Sequence, residues 1–549
     1  MIDKQVVVEI LESLPFTTLD GEITVSAEAM AFSLLINTQE GEDPLKWEAC
    51  IFPPYPMKTR GHEAIQFCNL ELLPYPHIME GGILCMHTTD CLTPESQLRQ
   101  DLGQLKNWVD KYYVNKEADE HYEHLVVNSS LVEGAEHHYL FTDLEEELPD
   151  NDYGTVRLCP LLKSSRGNVK TETCLACGFT SDRAYKSKER LCDWNEYYRE
   201  YAPLEPEGLY CMLKQAPASY NKFILKSYQE LDGLFTQTQK DYIHKKVKEY
   251  QRGTAKWCPV FCGYTTPQDR VHWQVLLLDI KHPPLQGISC STPQGKVWQS
   301  IFTDAKILWA NSDNASYKYF FGRGAMPSEL AHKKIFIIGL GAVGSILAKT
   351  LVRCGARHID LYDYDVKEPG NICRSEYEIF NGIGDKASEL QYLLYRVSPF
   401  VDCRIKNILF DYLAKSLAPE KVQEALDEYD VIFDCTTDNH LMVLLDSLHL
   451  KAQVVNLSIT NHAKELTCVF SPQVAKCIEL LYSHLLEQDK SDMFHPSGCW
   501  NPTFRASYND IALMVQYALR HCIRMLSGDE PISNFYLDDN DDCLTMHRL

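Results

Sequence analysis

One hexapeptide constrains the fold more than any other part of the chain. Gly339-Leu340-Gly341-Ala342-Val343-Gly344 follows the apolar run Ile335-Phe336-Ile337-Ile338 and opens a helical stretch, Val343 to Cys354, that ends at Gly355. A buried strand, a glycine turn and a helix in that order leave unpaired N–H groups and the positive end of a helix dipole facing an anion. The first glycine permits the tight turn, the second lets a phosphate approach the backbone, and the third lets the helix pack on the sheet. His358-Ile359-Asp360-Leu361-Tyr362 reads as a second strand, and Asp363 at its end is placed to accept hydrogen bonds from a ribose. Val431-Ile432-Phe433 and Val454-Val455-Asn456-Leu457 supply two more strands. Strands alternating with helices predict an α/β, doubly wound, parallel sheet of Rossmann-like type.

The residues beyond the loop narrow the chemistry. Asp363-Tyr364-Asp365 leads into Asn371-Ile372-Cys373-Arg374, then Gly384-Asp385-Lys386, and later Asp434-Cys435-Thr436-Thr437-Asp438-Asn439. Hydride transfer has little use for Arg374, Lys386 and a further carboxylate at the nucleotide end. Adenylation does, because a cationic pair neutralises charge at the α-phosphorus while a carboxylate holds Mg²⁺. No GxxxxGK[ST] P-loop is present.

On these motifs, over about Ile335 to Asp510, the sequence resembles the ubiquitin-activating (ThiF/MoeB-like) adenylyltransferase family. The resemblance implies ATP·Mg²⁺-dependent adenylation of a protein C-terminal carboxylate. It assigns nucleotide binding to Gly339, Gly341, Gly344 and Asp365, ribose binding to Asp363, and phosphate binding to Asn371, Arg374 and Lys386. Asp438 would serve Mg²⁺ and catalysis, with Arg374 beside it; Asp434 is the alternative metal carboxylate. Thr436-Thr437-Asp438 carries one residue more than the usual Thr-Asp spacing, and Ser375 stands where the family commonly has Gln. Arg323, ahead of the first strand, sits where some relatives place an arginine that reaches the partner subunit's ATP, so a homodimer is expected.

Two cysteines stand out as nucleophiles. Cys499 lies in the loop His495-Pro496-Ser497-Gly498-Cys499-Trp500-Asn501-Pro502, ahead of a helix beginning near Asp510. A thiolate there could attack an acyl-adenylate, with AMP as leaving group. Cys85 follows Pro76-His77 and Gly81-Gly82 in an N-terminal region that opens with an amphipathic helix. The strand Ala31–Ile36 comes next, then a Pro-rich turn and a helix through Leu98, Leu102, Leu105, Trp108 and Val109. That region resembles a divergent α+β ubiquitin-conjugating domain lacking the usual His-Pro-Asn triplet, so His77 or a backbone N–H would have to support the oxyanion. A conjugating-like domain ahead of an activating-like one resembles the bacterial fusions of CBASS antiphage operons, which implies a cGAS/DncV-like nucleotidyltransferase as the protein charged and an amine as acceptor. The rival readings are an adenylyltransferase for a sulfur-carrier protein and a non-catalytic nucleotide-binding scaffold.

Composition sets limits. With 549 residues, 45% hydrophobic and 23% charged, several globular cores are expected. Three segments are expected: 1–140, conjugating-like; 151–324, a mixed α+β middle with a strand over Trp273–Ile280 and a polar helix around Gln237–Gln251; and 325–549, for adenylation. The acidic stretch Asp143–Asp152 reads as a linker, and Asp538-Asp539-Asn540-Asp541-Asp542 as a solvated acidic tail. The net charge of −23 disfavours nucleic acid and anionic membrane as partners. The N-terminal residues lack a signal-peptide pattern and no apolar run is long enough to span a bilayer, so a cytoplasmic location is expected. The 21 cysteines then read as reduced thiols. Cys174, Cys177, Cys258 and Cys262 could together bind zinc, but the pairs lie some eighty residues apart, so buried thiols are the preferred reading.

Overall fold

The computed structural model describes residues 2–549 apart from 40–41, 59–62, 87, 119–124, 126–128, 162, 184–187, 201–202, 269, 293–294, 410, 412–417, 487–503 and 540–542. Packing divides the chain into two compact units, each built from two separated segments: 1–130 with 211–311, and 131–210 with 312–549.

In the first unit a helix, Lys4–Ser13, is capped by the Asp3 carboxylate and turns Val7, Ile10 and Leu11 inward. Four strands follow as an antiparallel meander in chain order: Thr17–Val25, Met30–Ile36, Leu45–Ile51 and Ile65–Cys68. Met30, Phe32, Leu34 and Ile36 alternate into the core, the period-two pattern of a sheet with one wet face. The expected apolar face of the helix Pro94–Trp108 closes that core, with Trp108 edge-on to Trp47 at 5.4 Å between ring centroids. The second segment brings the expected polar helix, Gln237–Tyr250, and an antiparallel strand pair, Trp257–Thr265 with Val271–Asp279.

In the second unit, strand Val169–Ser181 pairs in parallel with Ala135–Phe141 and antiparallel with Tyr153–Pro160. Residues 143–152 therefore join two strands of one sheet, and the linker reading is corrected. Its last acidic residue is no solvated charge: Asp152 is buried and accepts hydrogen bonds from Ser181 Oγ (2.6 Å) and Tyr210 Oη (2.8 Å). The stretch after these strands docks on the C-terminal segment. Asn195 donates to the carbonyls of Pro399 and Val401, and Asp193 pairs with both terminal nitrogens of Arg357. Tyr197 stacks on Tyr395 at 4.9 Å.

The C-terminal segment is built on eight strands. They are β1 (Lys334–Ile338), β2 (His358–Tyr362), β3 (Asp402–Ile405), β4 (Val431–Asp434), β5 (Gln453–Thr460), β6 (Glu465–Phe470), β7 (Phe535–Asp538) and β8 (Thr545–Arg548), in spatial order β3-β2-β1-β4-β5-β6-β7-β8. The first five are parallel, as expected; β5 to β8 pair antiparallel. Asp538, assigned to a solvated tail, is instead the last residue of β7. The central strands β1 and β4 read as apolar runs, Ile335-Phe336-Ile337-Ile338 and Val431-Ile432-Phe433, and these residues are buried. Helix α1 (Ala342–Arg353) sends Ile346, Leu347 and Leu351 into the core formed with Ile335, Ile337, Val431 and Phe433. Helices α2 (Lys386–Val397), α3 (Asn439–Ser447) and α4 (Tyr508–Leu526) complete the elements that frame the site. Among the described residues, no helix is long and apolar enough to cross a membrane.

Candidate nucleotide site

The chain leaves β1 for β2 and β3 on one side and returns to β4 on the other. The crevice between β1 and β4, at their carboxyl ends, is where open α/β sheets bind ligands. The glycine loop lies there. Gly339 has φ +82°, and a Cβ on it would stand 2.8 Å from Thr436 Cγ2 and 2.9 Å from the Cys435 backbone carbon. A Cβ on Gly344 would sit 1.9 Å from the Gly339 carbonyl oxygen. Gly341, the residue before α1, has nothing within 4 Å of that position, so its backbone stands open to an incoming group.

Asp363 ties the loop to β2: Oδ2 accepts from Leu340 N at 2.7 Å and Oδ1 from Asp365 N at 2.8 Å. Asp365 in turn holds Lys386, whose ammonium lies 2.9 Å from Oδ2 with only 9% of its side chain exposed. Tyr377, which the sequence reading passed over, is buried and donates to the Leu340 carbonyl at 2.6 Å. Burial pushes its hydroxyl up, so it stays a donor at neutral pH. Lys367, also missed, is wholly buried, reaching Glu389 and the Glu378 carbonyl (2.7 Å). Its signal was faint, because a single Lys in a polar loop looks solvated until the fold buries it.

The two carboxylates after β4 occupy different environments. Asp434 is fully buried; Oδ1 accepts from Thr436 N (3.0 Å) and Thr436 Oγ1 (2.7 Å), and Oδ2 from Asn456 Nδ2 (2.9 Å). Loss of hydration pushes its carboxyl above the usual range. Asp438 is exposed and caps α3, with Oδ1 accepting from His440 N (2.8 Å) and Leu441 N (3.4 Å) while Oδ2 takes no part in the cap. An outward carboxylate with one uncommitted oxygen suits a hydrated Mg²⁺; a buried one whose two oxygens already accept three bonds does not.

Asn371 holds its own turn by accepting from Glu368 N at 3.0 Å. Ser375, in place of Gln, donates to the Asn371 carbonyl. Arg374 Nη1 reaches the carbonyl of Phe504 at 3.3 Å. Next to it Glu376 binds Lys349 of α1, Tyr508 Oη (2.6 Å) and, through its own N–H, Ser345 Oγ at 3.3 Å. Arg323 is exposed in the loop before β1. Cys499 lies outside the described residues.

In the other unit Cys85 is half-buried, and its N–H donates to the His77 carbonyl at 2.7 Å. His77 has φ +59°, and its Nε2 lies 3.0 Å from Tyr112 Oη. Lys222 Nζ donates to the carbonyls of Tyr75 (2.5 Å) and Ile78 (3.0 Å), clamping that turn from both sides. The four cysteines considered for zinc are buried along strands Val169–Ser181 and Trp257–Thr265. Burial pushes the Cys174 thiol up to about 12. Among the described residues, no three His, Cys, Asp or Glu side chains group as a metal would require.

The chain is similar in sequence to several known proteins. An ATP-dependent ubiquitin transferase-like protein Cap2 of Enterobacter hormaechei subsp. hoffmannii is 24% identical over 284 residues, covering 49% of this chain and 46% of that protein. The match thus spans less than half of the relative's own length. A molybdopterin-synthase adenylyltransferase of Haemophilus influenzae is 23% identical over 169 residues, 28% of this chain and 67% of that one. Among solved structures, E. coli MccB with ATP aligns over 40% of this chain and 64% of that one, at 15% identity and TM-score 0.29. Residues 317–539, which include every residue placed around the glycine loop, match the model of the ThiF family.

Proposed function

We propose that the second unit adenylates the C-terminal carboxylate of a protein or peptide with MgATP. A carboxylate oxygen attacks the α-phosphorus, the bond to the β-phosphate oxygen breaks, and pyrophosphate leaves. Gly341 and the start of α1 receive phosphate, Asp363 the ribose, Arg374 and Lys386 the developing charge, and Asp438 the metal. What supports this reading is that Asp363 accepts from Leu340 of the glycine loop, Asp365 pairs with Lys386, and Thr436, which holds the Asp438 N–H, lies against Gly339. Relatives named as adenylyltransferase and ubiquitin-transferase-like proteins support it.

The thiols extend the reading. Cys499 takes the acyl group from the adenylate with loss of AMP, Cys85 receives it by transthiolation, and an amine on the acceptor displaces the thiol to form an amide. In the first unit, the helix, four-stranded meander and Trp-bearing helix support a ubiquitin-conjugating-like role. With His77 Nε2 engaged by Tyr112, the oxyanion donor in this scheme is a backbone N–H near Cys85. Similarity to a protein named as ubiquitin transferase-like supports the transferase part of this scheme; antiphage defence, a cGAS/DncV-like nucleotidyltransferase as the charged protein, a cytoplasmic homodimer and Arg323 reaching across it extend the scheme from the domain order and motifs of the sequence.

The test is ATP–pyrophosphate exchange in the full chain. Asp438→Ala and Arg374→Ala should each abolish it, since loss of such charge stabilisation costs roughly 3–4 kcal/mol of barrier, some 10²–10³-fold. Exchange at the parental rate in both variants would remove the adenylation assignment.

A further inference from the structure

A buried polar chain runs from β5 to the exposed Asp438. Asn456 and Ser458 lie on β5 with no solvent exposure, and Ser458 Oγ donates to Asn456 Oδ1 at 2.8 Å. Asn456 Nδ2 donates to Asp434 Oδ2, and Asp434 Oδ1 receives both the amide and the hydroxyl of Thr436. Because the Thr436 hydroxyl hydrogen is spent on Asp434, its oxygen is left as an acceptor, and Asp438 N–H fills it at 3.0 Å. At the Asp438 end the senses are fixed, because the Asp438 and Thr436 N–H groups can only donate.

The turn it holds is strained. Thr437 has φ +58°, a left-handed conformation that is costly for a β-branched residue, and such residues persist only where their surroundings over-determine them. Thr437 is exposed, so no packing around its side chain enforces that φ; the clamp at Thr436 on one side and the Asp438 cap on α3 on the other do. The extra residue in the Thr436-Thr437-Asp438 spacing is accommodated in this left-handed step.

We propose that Asp434 is a positioning residue for the metal carboxylate: through Thr436 it fixes the turn that aims Asp438 at Mg²⁺, and Asn456 fixes Asp434. This rests on the assignment of Asp438 to the metal.

The experiment measures ATP–pyrophosphate exchange against Mg²⁺ concentration, with thermal unfolding alongside, in the full chain. In Asp434→Asn the charge is lost and one of the two acceptor oxygens becomes an amide nitrogen, so Thr436 and Asn456 can no longer both donate to this side chain. The Mg²⁺ concentration for half-maximal rate should rise at least tenfold and the maximal rate fall at least tenfold. In the exchanged pair Asp434→Asn/Asn456→Asp, donor and acceptor are restored in reverse, and both values should return to within about threefold of the parent. Thr436→Val, which removes the hydroxyl on a half-buried residue at nearly constant volume, should shift the Mg²⁺ requirement as Asp434→Asn does, and it decides the matter if Asp434→Asn does not fold. An unchanged Mg²⁺ half-saturation in Thr436→Val or in folded Asp434→Asn, or an exchanged pair no better than the single variant, overturns the proposal. Asp438→Ala separates the two levels. If it retains exchange, the metal assignment fails; if it loses exchange while Asp434→Asn and Thr436→Val behave as the parent, only the positioning role fails.

Discussion

Gly341 and Gly344 lie three residues apart in one loop, yet substitution by alanine should act through different causes. A methyl at Gly344 would lie 1.9 Å from the Gly339 carbonyl oxygen. That is short of ordinary contact by about 1.5 Å, and both sides are backbone, so no side chain can swing away. Overpacking of a side chain costs about 1–3 kcal/mol, and a backbone clash belongs at or above the top of that range. A unit of ordinary stability, roughly 5–15 kcal/mol, would lose a large fraction. Gly341 has φ −69° and open space around its Cβ direction, so alanine there meets no clash; its ψ of −149° lies outside the regions L residues favour, which costs about 1–3 kcal/mol of backbone strain. The same methyl would occupy the approach of the phosphates and should weaken ATP binding at least tenfold, ~1.4 kcal/mol. Calorimetric ATP titration and thermal unfolding of both variants give a two-by-two outcome. Gly344→Ala should lower Tm steeply and lose binding together, while Gly341→Ala should lose binding with the smaller fall in Tm. Parental ATP affinity in Gly341→Ala would refute the placement of phosphate on this loop, and an unshifted Tm in Gly344→Ala would refute the packing argument.

Other expectations concern neighbouring groups. Lys386→Met leaves Asp365 without its cation and should reduce exchange at least a hundredfold, about 2.7 kcal/mol; rate measurements at saturating ATP decide whether the loss lies in the chemical step. Tyr377→Phe strips the Leu340 carbonyl of its buried donor and should cost about 1–3 kcal/mol of stability, read from denaturant midpoints. Cys499→Ala should retain pyrophosphate exchange and form no reducible adduct. Cys85→Ala should trap the adduct on Cys499 and make no amide product. An adduct on Cys85 in the Cys499→Ala protein, seen by non-reducing electrophoresis, would break that order. Light scattering at micromolar concentration should give the mass of a dimer.

The glycine loop was legible because strand, turn and helix are contiguous, and each glycine answers a local demand for positive φ, open backbone or close contact. The position of Asp363 was legible for the same reason, since β2 delivers it directly; its bond to the Leu340 N–H was not. The clamp from Asn456 through Asp434 was not, because its members lie 22 residues apart and meet only through parallel pairing of β4 with β5. One polar residue inside Val454-Val455-Asn456-Leu457 was the trace it left. The false linker at 143–152 had the opposite origin: composition reports average solvation, and Asp152 departs from the average by meeting two buried hydroxyls.

The interleaving of the two units carries a consequence for synthesis. Residues 131–210 leave the ribosome before 211–311, but the partners of Asp193, Asn195 and Tyr197 are Arg357, Pro399, Val401 and Tyr395. At about 5–20 residues per second, the second unit waits on the order of 10–50 s from the end of the intervening segment until residue 549 is made. During that interval the strands between Ala135 and Ser181 exist without the sheet that receives the following stretch. Cutting the chain at 324 would leave the nucleotide loop in a fragment stripped of that stretch. A fragment meant to bind ATP should keep 131–210 together with 312–549, and in a nascent chain stalled near residue 311 Asp193, Asn195 and Tyr197 lack the partners they have in the finished chain.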